Sequence, residues 1–241
     1  MLAKKTLVMA SASLLLASMT ALSQIPAHFF KTADAATCTP ANHCYAQEEI
    51  SSVTNYGNKY RTIISDLTLS DYCNNFITVE QWVGLPNGDW LEMRTMVGKN
   101  PVSGTCHTTE KTFSAKRVSG VYSETTHSSV TIGNTYIYEL SDTNKDKTWR
   151  VLRGGTELGT MTSPYANGIG VTVGAETTVD SGLPKTHIWD IAWYKSTNVW
   201  EFWDIADFFG EIPSNNPLWI INCTPNYTHV HVGSGTVGDC T

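Results

Sequence analysis

The 241-residue chain carries 16 basic and 22 acidic residues, a net charge of −6. That balance excludes the basic surface a nucleic-acid partner requires. Past the first 22 residues no run of about 18 apolar residues occurs, so no later segment has the composition of a membrane-spanning helix.

The chain opens with Lys4 and Lys5, followed by an apolar, small-residue run over 7–22 with Leu14, Leu15 and Leu16 at its centre. Ala33-Asp34-Ala35 then offers an A-x-A cleavage site. This pattern predicts a signal peptide over 1–36 and a secreted, extracellular mature chain over 37–241. A cut near Ser23 is the alternative. Removing Lys4, Lys5, Lys31 and Asp34 leaves 13 basic and 21 acidic residues, a net charge of −8. The remainder suits one large domain with a sizeable core. No linker, repeat or low-complexity tract divides it.

All six cysteines follow the proposed cut: Cys38, Cys44, Cys73, Cys106, Cys223 and Cys240. An even count behind an export signal reads as disulfides, and no C-x-x-C suggests metal ligation. Of the roughly 15 possible connectivities, nearest-neighbour pairing is the simplest: 38–44, 73–106 and 223–240.

Strand-like runs are predicted over 60–67, 76–83, 90–97, 108–114, 135–140, 148–152, 170–178, 188–194 and 218–221. Turn signals stand between them: Asn87-Gly88, Asn100-Pro101, Ser119-Gly120, Ile132-Gly133-Asn134, Gly154-Gly155, Asn167-Gly168 and Ser181-Gly182. Many short strands with turns between them predict an all-β, antiparallel double-sheet sandwich. Residues 200–209 are the one helix-like stretch, and also fit an aromatic strand and loop.

The segment FITVEQWVGLPNGDWLEMRTMVG, residues 76–98, sets acids and an arginine among tryptophans and aliphatics. Alternation places Leu91, Met93, Thr95 and Val97 on one face and Trp90, Glu92, Arg94 and Met96 on the other. A two-residue Asn87-Gly88 turn sets Gln81 opposite Arg94. A five-residue loop over 85–89 instead sets Trp82 opposite Glu92 and Glu80 opposite Arg94. One residue of slip exchanges the faces. The second register separates apolar from polar columns better and is preferred. It puts Glu80, Trp82, Trp90, Glu92 and Arg94 on a sheet face pointing away from the core, with Glu80–Arg94 as a cross-strand pair. Tryptophans clustered beside acids on an open face indicate a binding surface.

The order Trp82-Val83-Gly84-Leu85, Gly88, Trp90-Leu91-Glu92, and later Gly174-Ala175-Glu176-Thr177-Thr178, resembles the secreted glutamic peptidases, the eqolisin family. Residues 127–140 with Thr148-Trp149-Arg150-Val151 resemble an intervening hairpin of that family. The resemblance spans roughly half of the mature chain. It implies a concanavalin-like jelly roll and an acid-acting endopeptidase. Glu176 would be the general base that activates water. Glu92 stands where the family carries glutamine, and would hold the oxyanion only when protonated. The spacing from Trp82 to Glu92 is short for the family, and Thr177-Thr178 replace bulky residues. Trp82, Trp90, Glu80, Arg94 and Gln81 are the expected substrate contacts, with an extracellular polypeptide as partner and no cofactor. A non-catalytic carbohydrate- or surface-binding module on the same scaffold is the alternative, and a disulfide-stapled structural protein a third.

Other motifs point less sharply. His229-Val230-His231 puts two imidazoles on one strand face, but no third ligand is signposted; a polar edge strand explains the pair, and no metal is expected. Cys106-His107 is no thiol nucleophile if Cys106 is oxidised. No G-x-S-x-G elbow occurs. Trp189, Trp193, Tyr194, Trp200, Phe202 and Trp203, interleaved with Asp190, Glu201 and Asp204, suit sugar rings or core. Asn222-Cys-Thr and Asn226-Tyr-Thr are glycosylation sequons. Oligomeric state is not set by the sequence.

Overall fold

The computed structural model describes residues 37–204, 210–211, 217–224, 228–236 and 238–241. The proposed leader, Asn226 and residues 205–209 lie outside that set. Among the described residues there is no α-helix. Their fourteen strands run β1 (Cys44–Ile63), β2 (Phe76–Gly84), β3 (Trp90–Lys99), β4 (Cys106–Val118), β5 (Val121–Ser129), β6 (Thr135–Ser141), β7 (Thr148–Arg153), β8 (Thr156–Thr162), β9 (Gly168–Thr177), β10 (Thr186–Lys195), β11 (Trp200–Phe202), β12 (Gly210–Glu211), β13 (Leu218–Asn222) and β14 (His229–Ser234).

The expected all-β antiparallel sandwich is what forms. Strand β1 belongs to both layers. Its first half pairs β9, and the order continues β9-β2-β3-β4-β5. Its second half pairs β10 on one side and β6 on the other, in the order β13-β14-β10-β1-β6-β7-β8. The change of sheet falls at a break in register between Ser51 and Asn55, where Ser52 takes φ 61°. Such bulges turn a strand from one layer into the other. Buried Asn58 braces the crossover by donating from Nδ2 to the Thr172 carbonyl at 3.0 Å.

Between the layers lies one apolar cluster that includes Ile50, Tyr60, Ile77, Val79, Leu91, Met93, Val97, Tyr138, Trp149, Val171, Val173 and Ile188. Tyr60 and Tyr138 stack at 5.4 Å, and the Tyr138 hydroxyl meets Thr95 Oγ1 at 2.6 Å. Those rings join the second layer to β3 of the first.

The expected strands form, most of them longer than the periodicity indicates, but the run expected over 60–67 is strand only to Ile63, where β1 ends. Three strands, β5, β8 and β12, and residues 44–59 of β1 are not anticipated. Polar residues such as Gln47, Glu48 and Glu49 in β1 gave no alternation to read. Over 200–209, the described part is the strand β11 and not a helix. Trp193 and Trp203 are core, whereas Phe202 is exposed.

The β2–β3 loop spans residues 85–89, closed by Leu85 N–H donating to the Asp89 carbonyl at 2.8 Å. Trp82 therefore pairs with Glu92 and Glu80 with Arg94, the preferred register. The disulfides are Cys38–Cys44, Cys73–Cys106 and Cys223–Cys240. Cys73–Cys106 bridges 33 residues of sequence and staples the start of β2 to β4. Replacing both of its cysteines by serine should cost roughly 3–4 kcal/mol, read by equilibrium denaturant unfolding as a lower midpoint at unchanged slope.

Candidate active site

The face of the first sheet turned away from the inter-layer core is assembled by register alone. Pairing of β9 with β2 sets Glu176 opposite Thr78 and Gly174 opposite Glu80. Pairing of β1 with β9 adds Tyr45 beside Glu176 and Gln47 beside Gly174. On the other side Ala115 faces Glu92, and Glu124 faces Ala115. Two small residues, Gly174 and Ala115, thus lie between the larger polar ones. A Cβ at Gly174 would fall 2.1 Å from the Ala46 carbonyl oxygen and 2.9 Å from Gln47 Cγ. The bare backbone leaves Gln47 room to cross and donate from Nε2 to Glu80 Oε1 at 2.8 Å.

The carboxylates of Glu80, Glu92 and Glu176 converge, each offering an oxygen within 4.8 Å of the others. All three are buried, at 0%, 1% and 5% exposure. The expectation of an open, solvated polar face is corrected here: the acids form a buried floor. Trp82, Trp90, Tyr45 and Tyr122 border it half-buried. Trp82 and Trp90 stack at 5.1 Å, with Tyr45 edge-on to Trp82 and Tyr122 tilted against Trp90.

The cations are arranged differently from the expected Glu80–Arg94 pair. Arg94 stands opposite Glu80 in register, but its guanidinium turns to Glu92 Oε1, 2.5 Å from Nη1, and to Glu124. Glu124 also accepts from the Tyr122 hydroxyl and from Asn100 Nδ2, each at 2.5 Å. His43 supplies the second positive group, with Nδ1 2.5 Å from Glu176 Oε1. The hydrogen bond and charge of Glu176 raise His43 above the ordinary imidazole range despite the opposing effect of burial.

Four carboxyls against Arg94 and His43 leave an excess of negative charge, and the acids respond by holding protons. Burial, partly offset by Arg94, pushes Glu92 up to about 7. Burial, with Glu92 and Glu176 adding repulsion, drives Glu80 well above the carboxylate range. The Thr78 hydroxyl donates to Glu80 Oε2 at 2.5 Å, which opposes that rise without cancelling it. The three carboxyls are also a hard-cation donor set. Arg94 and His43, however, already engage oxygens of two of them, and calcium would need about six to eight oxygens.

Gln81 is misplaced by the sequence reading. It lies on the core face, fully buried, with Nε2 3.9 Å from Met93 Sδ. Residues that the reading missed are His43, Tyr45, Gln47, Thr78, Tyr122 and Glu124. Glu124 was within reach of the turn chemistry. The two-residue Ser119-Gly120 turn fixes Val118 opposite Val121, and counting on brings Glu124 against Ala115.

The histidine pair is not on an edge strand as expected, because β14 lies between β10 and β13. His187 of β10 stands opposite His231 and completes a three-imidazole cluster with His229.

No protein-family model matches the chain, and no curated protein matches it. Solved structures do. The scytalido-glutamic peptidase bound to a transition-state analogue inhibitor superposes with a TM-score of 0.55 at 9% identity, covering 79% of this chain and 97% of that one. SCP-B, a member of the eqolisin family in complex with the tripeptide Ala-Ile-His, gives 0.53 at 9% identity over 79% and 97%. A homodimeric agglutinin from chicken liver overlaps 55% of this chain at a TM-score of 0.35. The chain therefore has the double-sheet fold seen in the glutamic peptidases, and at this identity the likeness concerns the fold alone.

A proton held by a buried acid has a signed effect on stability. Unfolded, such a carboxyl releases its proton near its ordinary value of about 4.5; folded, Glu80 keeps it to much higher pH. Between those limits the native state binds more protons, so stability falls as pH rises. Glu80→Gln removes the titrating group and keeps one oxygen to accept from Gln47 Nε2. Its Tm should equal that of the parent near pH 4 and exceed it at pH 8, by about 2–4 °C for each kcal/mol relieved. Identical pH dependence in the two proteins would remove this account of the floor.

Proposed function

We propose that the protein is a secreted, acid-acting hydrolase of the glutamic endopeptidase kind, cutting extracellular polypeptides at the Glu80–Glu92–Glu176 floor. The observation that carries this reading is the convergence of three buried carboxyls beside one guanidinium and one imidazole. Their environments differ, and titratable groups pushed apart by environment are what acid–base chemistry uses.

Glu176, oriented by its contact with His43, takes the proton of a water molecule as that water attacks the scissile carbonyl, and returns it to the amine nitrogen as the C–N bond of the tetrahedral intermediate breaks. Arg94 holds Glu92 Oε1, so a proton on Glu92 belongs on Oε2, from which it donates to the developing oxyanion. Glu92 in this role is the protonated counterpart of a glutamine amide. Glu80 stays neutral and restrained by Gln47 and Thr78, as a positioning group that keeps a third charge away from Glu176. The half-buried rings of Trp82, Trp90, Tyr45 and Tyr122 provide the surface along which an extended peptide lies, with Arg94 behind them. Three disulfides and the leader-like residues 1–36 support an oxidising, extracellular setting. A second reading, non-catalytic glycan binding, is favoured by the stacked Trp82–Trp90 platform, which offers apolar ring faces beside acids.

The test is proteolysis of a denatured protein between about pH 2 and 5. Glu176→Gln should lower kcat/KM by about 10²–10⁴-fold with an unchanged circular dichroism spectrum. Glu92→Gln should retain acid activity within about tenfold and lose the alkaline fall centred near pH 7, since glutamine donates at every pH. Equal digestion by wild type and Glu176→Gln would exclude the peptidase reading, and binding on a glycan array would then favour the second.

A further inference from the structure

We propose that His187, His229 and His231 form a binding site for a divalent transition-metal ion of the zinc class, on the second sheet and separate from the acid floor. Alternation along β14 puts His229 and His231 on one face, and β10 sets His187 directly opposite His231. Each imidazole offers a ring nitrogen within 4.8 Å of the other two. The His187 and His231 rings stack with centroids 4.0 Å apart.

The tautomer of His231 follows from its partner. Nδ1 lies 2.9 Å from the Asp239 carbonyl oxygen, which accepts only, so Nδ1 carries the proton. Nε2 is then the lone-pair nitrogen, and it points at His229 Nε2, 3.0 Å away. Two lone-pair nitrogens bound to one tetrahedral zinc ion sit about 3.3 Å apart, given Zn–N bonds of about 2.0–2.1 Å. An outer carbonyl that fixes the protonated nitrogen of a ligating imidazole is the usual support of such a ligand. Here it comes from the chain end, held by the Cys223–Cys240 disulfide.

Three imidazoles with a remaining solvent-facing position are the donor set of zinc sites that keep water as a fourth ligand. The side chains of His187 and His229 line a cavity of about 400 Å³ shared with Ile63, Trp189, Asp190 and Thr228. His231 is 1% exposed, buried beside the two histidines that line that space. That space accommodates a water or a small anionic ligand on the ion. Soft thiolate-preferring ions are disfavoured because every cysteine is oxidised.

The experiment is titration of the EDTA-dialysed full chain with zinc chloride near pH 7.5 by calorimetry, with cobalt(II) chloride as a spectroscopic probe. One ion per chain should bind, and cobalt should give the intense visible bands of a four-coordinate ion. His187→Gln and His229→Gln should each weaken binding by at least about tenfold and abolish those bands. His107→Gln, outside the cluster, should leave both unchanged. The wild-type cobalt spectrum stands even if a variant misfolds. Absence of binding heat, an octahedral cobalt spectrum, or equal affinity in His187→Gln and His229→Gln would each overturn the proposal. None of these outcomes bears on proteolysis by the acid floor.

Discussion

The arrangement of the first sheet depends on how a row of carboxylates is kept out of water. Glu80, Glu92, Glu124 and Glu176 have little or no solvent contact, and an isolated buried carboxylate is costly. Two devices limit that cost. Arg94 bridges Glu92 and Glu124 from the centre of the row, and His43 closes on Glu176 from beyond its end. The remaining excess charge is removed by protons on Glu80 and, below about pH 7, on Glu92. Removing Arg94 alone would leave two buried acids without their cation, which in other proteins costs about 3–5 kcal/mol. Local sequence departures follow from this constraint. Gly174 and Ala115 are small because the long polar side chains must pass over them. The tryptophans are there because something apolar has to border the acids.

What the sequence revealed and what it hid divide along the same physical line. Features governed by period and loop length were legible. The five-residue loop set the β2–β3 register, and that register was enough to bring Glu92, Trp82 and Glu80 onto one face. Cysteine spacing gave the right bridges because each closes neighbouring segments. Features governed by which side chain turns to which partner were not legible. Arg94 faces Glu80 across the pair, yet a guanidinium reaches both along its own strand and over two strands, and Glu124 offered the better-supported carboxylate. Gln81 faces Arg94 only in the two-residue-turn register, which does not form; in the structure it pairs with Met93. A single step along a strand reverses the face, and the amide sits in the core against Met93.

The strands that the sequence did not announce are informative in the same way. Strand β1 is covered on both sides and shared by both layers, so its polar residues answer to several environments and show no simple alternation. Its first half carries Tyr45 and Gln47 to the acid floor, and its second half pairs with the strand that carries His187. That third imidazole is far along the chain from His229 and His231, with several strands between them. Only the pairing of β10 with β14 reveals it, and no spacing rule on a single strand would.

The two proposed sites require opposite conditions. Hydrolysis on the floor requires a proton on Glu92 and therefore acid pH. Metal binding by three imidazoles requires them neutral, and an acid medium competes the ion away. Near neutral pH the floor loses Glu92's proton and gains like charge, while an ion bound at the proposed histidine site would tie β10 to β14 on the second sheet. A ligand that binds only the native state adds stability by mass action. The ion would thus support the fold in the pH range where the acids weaken it, and leave where the acids become competent. One continuous strand, β1, spans both layers, so each effect acts on the same cooperative unit.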